Sequence, residues 1–224
     1  MQGRAARSGL ALAPTQIAST IMLGRLSVNT VLIVLNVAVF LLQQRIGYKM
    51  EAFALWPPGD SPYGEGSLFR PWQLLTYGFM HGGWQHLFFN MFALFMFGTR
   101  IEQLFGSQRY LIYYLTCVIG AAALHLIVTA ATDQPFQPMV GASGAVFGLL
   151  LAFGMAYPQE KLMLIFLPIP IPAWLFVTLY GLAELYFGIT QTLQGIAHFA
   201  HLGGMVTGFV MIRYWRQQAR RLRR

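Results

Sequence analysis

The sequence predicts an all-α polytopic membrane protein with six transmembrane helices, and three observations support this. First, 56% of the 224 residues are hydrophobic and 10% are charged, whereas soluble domains carry about 25% charged residues. Second, the apolar residues are grouped into six segments. Third, basic residues are concentrated at the two ends of the chain and in one connection, which is typical of the cytoplasmic parts of membrane proteins.

The six apolar segments set the domain organisation. They lie at residues 26–43, 84–98, 110–131, 143–157, 172–188 and 197–215. Several are shorter than the roughly 20 residues that cross a hydrocarbon core, so we expect the short helices to pack inside a bundle. The sequence therefore predicts one membrane domain over 26–215, an N-terminal tail over 1–25 and a basic C-terminal tail over 216–224.

The distribution of charge predicts the orientation. Six arginines lie in the last twelve residues, and such a cluster directly after an apolar segment is typical of an anchor at anionic lipid headgroups, not of a nucleic-acid site. The first 25 residues also carry arginines, and their apolar stretch is too short and too broken by proline for a cleaved signal peptide. The positive-inside rule places both termini in the cytoplasm, as six spans require.

Three chemically useful side chains fall at a similar depth in this topology. His86, Ser143 and His201 each lie near the start of a segment that begins on the extracytoplasmic side. The segment from Ser143 to Tyr157 rises only about 21 Å as a helix, less than the full core. Irregular backbone below the membrane surface must line protein or water. We therefore expect a recessed active site in a cavity open to the outside.

Ser143 lies in the motif Gly141-Ala-Ser-Gly144. The glycines permit a tight turn into a helix, whose free N–H groups and positive dipole end would face a developing oxyanion. One interpretation is a catalytic nucleophile. The alternative is that these small residues allow helices to pack closely.

His201 lies in the motif Ala200-His-Leu-Gly-Gly204. A buried neutral imidazole can accept the serine proton and return it to a leaving amine. The alternative role is a hydrogen bond between helices. His198 shares roughly the same helix face and is the competing base. His201 is preferred because close-packing glycines follow it directly, with Gly204 and Gly208 in GxxxG spacing.

His86 and Asn90 are spaced i, i+4 and project from one helix face. They suit hydrogen-bond donation to an oxyanion better than metal binding, because no third ligand has a matching spacing. A zinc site from His81, His86 and His201 is the alternative. We expect His81 and His125 to make structural hydrogen bonds.

Glu184 lies inside the fifth apolar segment, where a charged side chain is costly and is a functional candidate by default. Neither segment that carries Ser143 or His201 points to it, so we interpret it as a structural hydrogen-bonding residue. No acidic residue is placed to orient His201, and the sequence predicts a Ser-His dyad, not a triad. The single Cys117 excludes an internal disulfide framework and a cysteine-rich metal site.

The order, spacing and topology of these motifs resemble the rhomboid family of intramembrane serine proteases. The matching motifs are His86-Leu-Phe-Phe-Asn90, Gly141-Ala-Ser-Gly144 and Ala200-His-Leu-Gly-Gly204 followed by Gly208. The resemblance covers roughly residues 26–215 and implies a rhomboid-like bundle.

This resemblance implies a role for each site residue. Ser143 would be the nucleophile and His201 the general base. His86, Asn90 and the backbone N–H of Ser143 would form the oxyanion hole, and Phe147 would pack near His201. No cofactor and no metal are implied.

One position departs from the family pattern, in which an adjacent Trp-Arg pair often precedes a threonine in the first loop. Here Trp72 is followed by Gln73, with Thr76 in place, and the nearest basic residue is Arg70. The six-span form without a seventh span resembles bacterial members, which implies the inner membrane.

The resemblance implies a serine endopeptidase that cleaves in or near the transmembrane segments of single-span proteins, with substrates arriving laterally beside the fifth segment. Such substrates should unwind easily at Gly, Ala or Pro, because a helical peptide bond is shielded from attack. A catalytically silent rhomboid-like protein that binds membrane clients is the first rival, but both Ser143 and His201 are present. A small transporter is the second, but the sequence shows no inverted halves.

Overall fold

The chain is mainly helical over the residues that the structure, a computed structural model, describes. These are residues 26–59, 64, 66–132, 136–164, 167–192 and 197–222. The N-terminal tail predicted at 1–25 lies outside the described residues. In the predicted C-terminal tail, the last helix continues to Arg221.

The described residues form eight α-helices. In chain order they are α1 (Val28–Ile46), α2 (Gln73–Thr76), α3 (Trp84–Ala93), α4 (Thr99–Phe105), α5 (Ser107–Ala131), α6 (Ser143–Ala156), α7 (Ala173–Thr190) and α8 (His198–Arg221). Two short 3₁₀ helices, Gly47–Phe53 and Tyr77–Phe79, follow α1 and α2, and a π-helical segment (Leu94–Gly98) joins α3 to α4.

Three of the described helical stretches are long and apolar enough to cross a membrane: Val28–Phe53, Ser107–Ala131 and Ala173–Thr190. Helix α6 is apolar but shorter, with 14 residues. All six predicted apolar segments lie largely in helices. The helical fold class is therefore confirmed in its coarse form, and the count of six spans stays a prediction.

The structure adds one element that the all-α prediction did not include, a β-hairpin between α6 and α7. Strands β1 (Lys161–Leu164) and β2 (Leu167–Pro172) form an antiparallel hairpin in which Leu162 pairs with Ile171. Proline occupies every second position of β2, so the missing N–H groups all fall on one edge of the strand. The other edge keeps its donors for the partner strand, which is how an edge strand tolerates proline.

Helix α8 packs against α6 and α5 with almost no side chain between the backbones. A Cβ at Gly204 would overlap the carbonyl oxygen of Gly144, and one at Gly203 would lie 2.8 Å from the carbonyl oxygen of Gly120. A Cβ at Gly148 of α6 would lie 2.6 Å from the sulfur of Cys117. These contacts confirm the close packing expected of the glycines, since only a missing side chain permits them.

A buried carboxylate ties the start of α1 to α4. The two oxygens of Glu102 accept hydrogen bonds from the backbone N–H groups of Val28 and Asn29 at 2.8 and 2.9 Å. The hydroxyl of Ser107 donates to the same carboxylate at 2.6 Å. Burial opposes the charge, but these hydrogen bonds outweigh burial and lower the pKa of Glu102 below its ordinary value. A carboxylate at a helix N-terminus also satisfies N–H groups that have no partner within the helix.

The first loop is held together by Gln73, the residue that follows Trp72. Its side chain is fully buried. Its Oε1 accepts hydrogen bonds from the backbone N–H groups of Trp56 and Arg70, at 3.2 and 3.1 Å. Its Nε2 donates to the carbonyls of Ala52 and Leu68, at 3.1 and 3.0 Å. One neutral amide therefore satisfies four backbone groups of an irregular loop.

We expect Gln73→Ala to destabilise this loop, because it leaves four backbone groups without their partner. Buried groups left unsatisfied cost about 1–3 kcal/mol, so the melting temperature in detergent should fall clearly. The matched control is Gln103→Ala, which removes an exposed glutamine of α4. Equal melting temperatures for the two variants would show that the Gln73 hydrogen bonds contribute nothing to stability.

Candidate active site

Ser143 is the first residue of α6, and its position is set by the backbone that precedes it. Leu55 and Met139 exchange two backbone hydrogen bonds of 2.9 and 2.8 Å, which attach the first loop to the segment before Ser143. The N–H of Gly141 then donates to the carbonyl of Tyr77 at 3.0 Å. Gly141 has φ +131°, a conformation that side chains disfavour. This turn delivers the serine hydroxyl to the helix N-terminus.

His201 lies in the first turn of α8 and faces that hydroxyl. Its Nε2 is 2.8 Å from the Oγ of Ser143, a hydrogen-bonding distance. The imidazole is stacked on the ring of Phe147, with centroids 4.2 Å apart and planes at 6°. The structure thus brings together a predicted nucleophile, its predicted base and the aromatic residue one turn beyond the serine.

Helix α7 adds a residue that the sequence analysis left out of the site. Glu184 Oε2 lies 2.9 Å from Nδ1 of His201 and 2.7 Å from Nδ1 of His198. The prediction that no acidic residue is placed to orient His201 was therefore wrong. The sequence does carry a signal for this contact, because a lone carboxylate in an apolar helix needs a partner and two histidines three positions apart begin the next helix.

His86 and Asn90 lie on α3 and line the same cavity as Ser143. Nδ1 of His86 accepts a hydrogen bond from the N–H of Gly82 at 3.3 Å, so the hydrogen of a neutral ring is on Nε2. A Cβ on Gly141 would lie 2.8 Å from His86 Nε2 and 3.6 Å from Ser143 Oγ. The N–H edge of His86 and the serine oxygen therefore flank the same small space.

Asn90 is buried one helical turn after His86. Its Nδ2 donates to the carbonyl of His86 at 2.9 Å, which uses one of the two hydrogens on that nitrogen. Both residues line the cavity that contains Ser143. Asn90 therefore has a second N–H available near the site.

The expectation of a structural hydrogen bond from His81 was wrong for its side chain. The ring is buried, and neither of its nitrogens has a hydrogen-bond partner among the described residues. Instead it packs edge-on against Phe40 and His86, with centroids 6.5 and 5.1 Å apart. His125 lines the cavity.

The zinc alternative from His81, His86 and His201 finds no support in the geometry. Among the described residues, the group of three potential ligands whose atoms lie within 4.8 Å of one another is Glu184, His198 and His201. The hydrogen bonds from the two imidazoles to one carboxylate oxygen already account for this group.

A cavity of about 1090 Å³ lies over the serine. Residues of α3, α6, α7 and α8 line it, including Ser143, His201, His86 and Asn90. Much of its wall is aromatic or aliphatic, with Phe89 on one side and Phe176 on another. Such a cavity has room for a peptide segment, with the polar groups gathered at one place.

A match to a known protein family agrees with this geometry. The family model of the Rhomboid domain matches residues 69–218, which is more than half of the chain. The chain belongs to the rhomboid family. With its apolar helices, this rhomboid is an integral membrane protein.

Individual relatives come from plants, yeast and bacteria. RHOMBOID-like protein 4 of Arabidopsis thaliana is 37% identical over 146 residues, covering 62% of this chain and 33% of the plant protein. Rhomboid protease GluP of Bacillus subtilis is 33% identical over 139 residues, 62% of this chain and 25% of that protein. Putative rhomboid protease YdcA of B. subtilis is 31% identical over 144 residues, 63% of this chain and 67% of its own length.

The matched Rhomboid domain runs from the first loop into α8. This rhomboid matches well under half the length of the first two of these relatives.

Proposed function

We propose that this rhomboid is an intramembrane serine endopeptidase that hydrolyses peptide bonds in or near the transmembrane segments of membrane proteins. The observation that carries the proposal is the 2.8 Å contact between Ser143 Oγ and His201 Nε2, beside a cavity large enough for a peptide. This contact also favours an active enzyme over a silent client-binding protein, which has no need of a paired nucleophile and base.

The reaction proceeds in two stages. His201 Nε2 takes the proton of Ser143 Oγ as the oxygen bonds to the scissile carbonyl carbon, and the imidazolium then gives that proton to the leaving amine as the C–N bond breaks. A water molecule loses its proton to His201 and attacks the acyl-serine. The proton returns to Ser143 when the acid product leaves. Phe147 keeps the imidazole plane fixed through its stacked ring.

The oxyanion of each tetrahedral intermediate is stabilised by three donors. These are Nε2–H of His86, Nδ2–H of Asn90 and the backbone N–H of Ser143. The last has no partner within α6, because the first N–H groups of a helix have none, and the helix dipole adds to its effect. Donors fixed before the reaction stabilise the transition state without reorganisation.

The shape and lining of the cavity indicate the substrate class. Its aromatic and aliphatic walls suit an apolar segment, and a peptide bond must leave its helix before Ser143 can reach the carbonyl. We propose that the substrates are single-span membrane proteins whose transmembrane helix unwinds near its outer end at Gly, Ala or Pro. The substrate would arrive laterally beside α7, a route that rests on the resemblance to the family.

We propose six spans with both termini in the cytoplasm and a recessed site that opens to the extracytoplasmic side. The arginine cluster after α8 supports this orientation through the positive-inside rule. The B. subtilis relatives and the six-span form support a bacterial inner membrane as its location.

The first prediction tests the nucleophile. Ser143→Ala should reduce cleavage of a model transmembrane substrate to background, because alanine keeps the fold and lacks the oxygen. A fluorophosphonate probe should label the wild type and leave the variant unlabelled. Cleavage by a folded Ser143→Ala protein would refute the serine mechanism.

A second prediction separates the two histidines of α8. His201→Ala should lower turnover by about 10²–10⁴-fold or more, because a general base contributes that much. His198→Ala should lower turnover less and keep a substantial fraction of it, since His198 contacts Glu184 and reaches His201 only through that carboxylate. Initial rates on the same reconstituted substrate measure both. The opposite order of losses would identify His198 as the base.

The third prediction concerns the oxyanion donors. His86→Ala and Asn90→Ala should each reduce kcat by about 10²–10³-fold, or roughly 2.7–4 kcal/mol, and less where the remaining donors compensate. KM should change little, because the charge exists only in the transition state. The double variant should lose less than the two single losses combined.

Melting temperatures measured on the same samples decide between catalysis and helix packing. If turnover falls only in proportion to unfolded protein, His86 and Asn90 serve packing and the oxyanion assignment is wrong.

A further inference from the structure

Glu184 is a buried acidic residue in the middle of the apolar helix α7, with 4% of its surface exposed. A carboxylate in this environment is costly unless its oxygens accept strong hydrogen bonds. Its partners here are the ring nitrogens of His198 and His201. Burial in an apolar helix gives no reason for a carboxylate at this position, so its presence indicates a polar role.

The hydrogen bond between Glu184 and His201 determines which nitrogen of His201 carries the hydrogen. An ionised carboxylate only accepts hydrogen bonds, so the hydrogen in the 2.9 Å contact belongs to Nδ1 of His201. Nε2 of the same neutral ring is then left with a lone pair. Nε2 is 2.8 Å from Ser143 Oγ, so its lone pair can accept the proton of the hydroxyl.

We propose that Glu184 is a positioning residue for catalysis, holding His201 in the tautomer and orientation of a general base and balancing the charge of its imidazolium. This inference rests on the proposed protease function and extends the Ser-His pair to Ser143, His201 and Glu184. The carboxylate takes no proton during the reaction: the proton of Ser143 moves to His201 Nε2 and then to the leaving amine, while Nδ1 keeps its hydrogen throughout.

His198 completes the arrangement from one helical turn before His201. Its Nδ1 lies 2.7 Å from the same oxygen, Glu184 Oε2, and must therefore also carry the hydrogen in that contact. Two donors on one oxygen fix the carboxylate in place and lower the cost of burying its charge. His198 thus orients Glu184, and Glu184 orients His201.

The test compares Glu184→Gln with Glu184→Asp in full-length protein reconstituted in lipid. Glutamine keeps the size and loses the charge, and its amide can present a hydrogen where His201 needs an acceptor. We expect kcat to fall by about 10²–10⁴-fold with KM unchanged, on the scale seen when the orienting acid of a serine protease is neutralised. Glu184→Asp keeps the charge on a shorter side chain and should recover part of the loss.

Glu102→Gln is the matched control for the structural contribution of a buried carboxylate. Glu102 is also buried and hydrogen-bonded, but its partners belong to α1 and α5 and not to the site. This variant should melt at a lower temperature and keep wild-type kcat per folded molecule. The rate of fluorophosphonate labelling at Ser143, normalised to folded protein, provides a second readout that needs no transmembrane substrate.

Several results would overturn the proposal. One is wild-type kcat and labelling rate in folded Glu184→Gln. A second is a loss that follows melting temperature as in Glu102→Gln. If Glu184→Gln does not fold, Glu184→Asp decides. The proposal is contradicted if folded Glu184→Asp protein reacts with the fluorophosphonate no faster than unfolded protein does, because a carboxylate at this position would then not support the site.

Two controls distinguish positioning by Glu184 from metal binding and from failure of the protease function itself. A chelator should leave wild-type activity unchanged, and activity that is lost with chelator and restored by zinc would show that Glu184, His198 and His201 hold a metal. If the wild type and Ser143→Ala behave alike, the proposed protease function fails as a whole. If the wild type is active and Glu184→Gln equals it, only the role of Glu184 fails.

Discussion

The contact between α6 and α8 is the constraint on which the rest of the site depends. Gly144 and Gly204 meet with no room for a side chain between the two backbones. Ser143 directly precedes the first glycine, and His201 lies one turn before the second. A wider separation of the helices would take the imidazole out of hydrogen-bonding range of the hydroxyl. The same two motifs therefore supply both the small residues that pack the helices and the side chains proposed for catalysis.

The other half of the site is positioned by loops, which have no such regular packing. Gln73 satisfies four backbone groups of the first loop, and that loop pairs through Leu55 with the segment that leads to Ser143. Tyr77 then accepts from Gly141 at the turn itself. Irregular backbone can be rigid when its polar groups are satisfied, because each unsatisfied group would cost as much as a lost hydrogen bond.

Two buried carboxylates show how the same physical requirement has different consequences. Glu102 accepts from backbone N–H groups at the start of α1 and serves the fold. Glu184 accepts from two imidazoles, one of which contacts the candidate nucleophile. Each carboxylate is stabilised by donors that approach from another helix. The two carboxylates differ in their partners. His201, a partner of Glu184, has a second ring nitrogen that contacts Ser143, whereas Glu102 accepts from backbone N–H groups of α1.

The sequence by itself determined the helical class, the apolar segments and the motifs that carry Ser143, His201, His86 and Asn90. These features depend on local composition and on spacings within one helix, which a sequence displays directly. The hairpin between α6 and α7, the role of Gln73 and the contact of Glu184 with His201 were decided by the tertiary structure. They depend on the rotation and depth of one element relative to another, since the partners of Glu184 lie 14 and 17 residues away on the next helix. No spacing within a single helix encodes that relation.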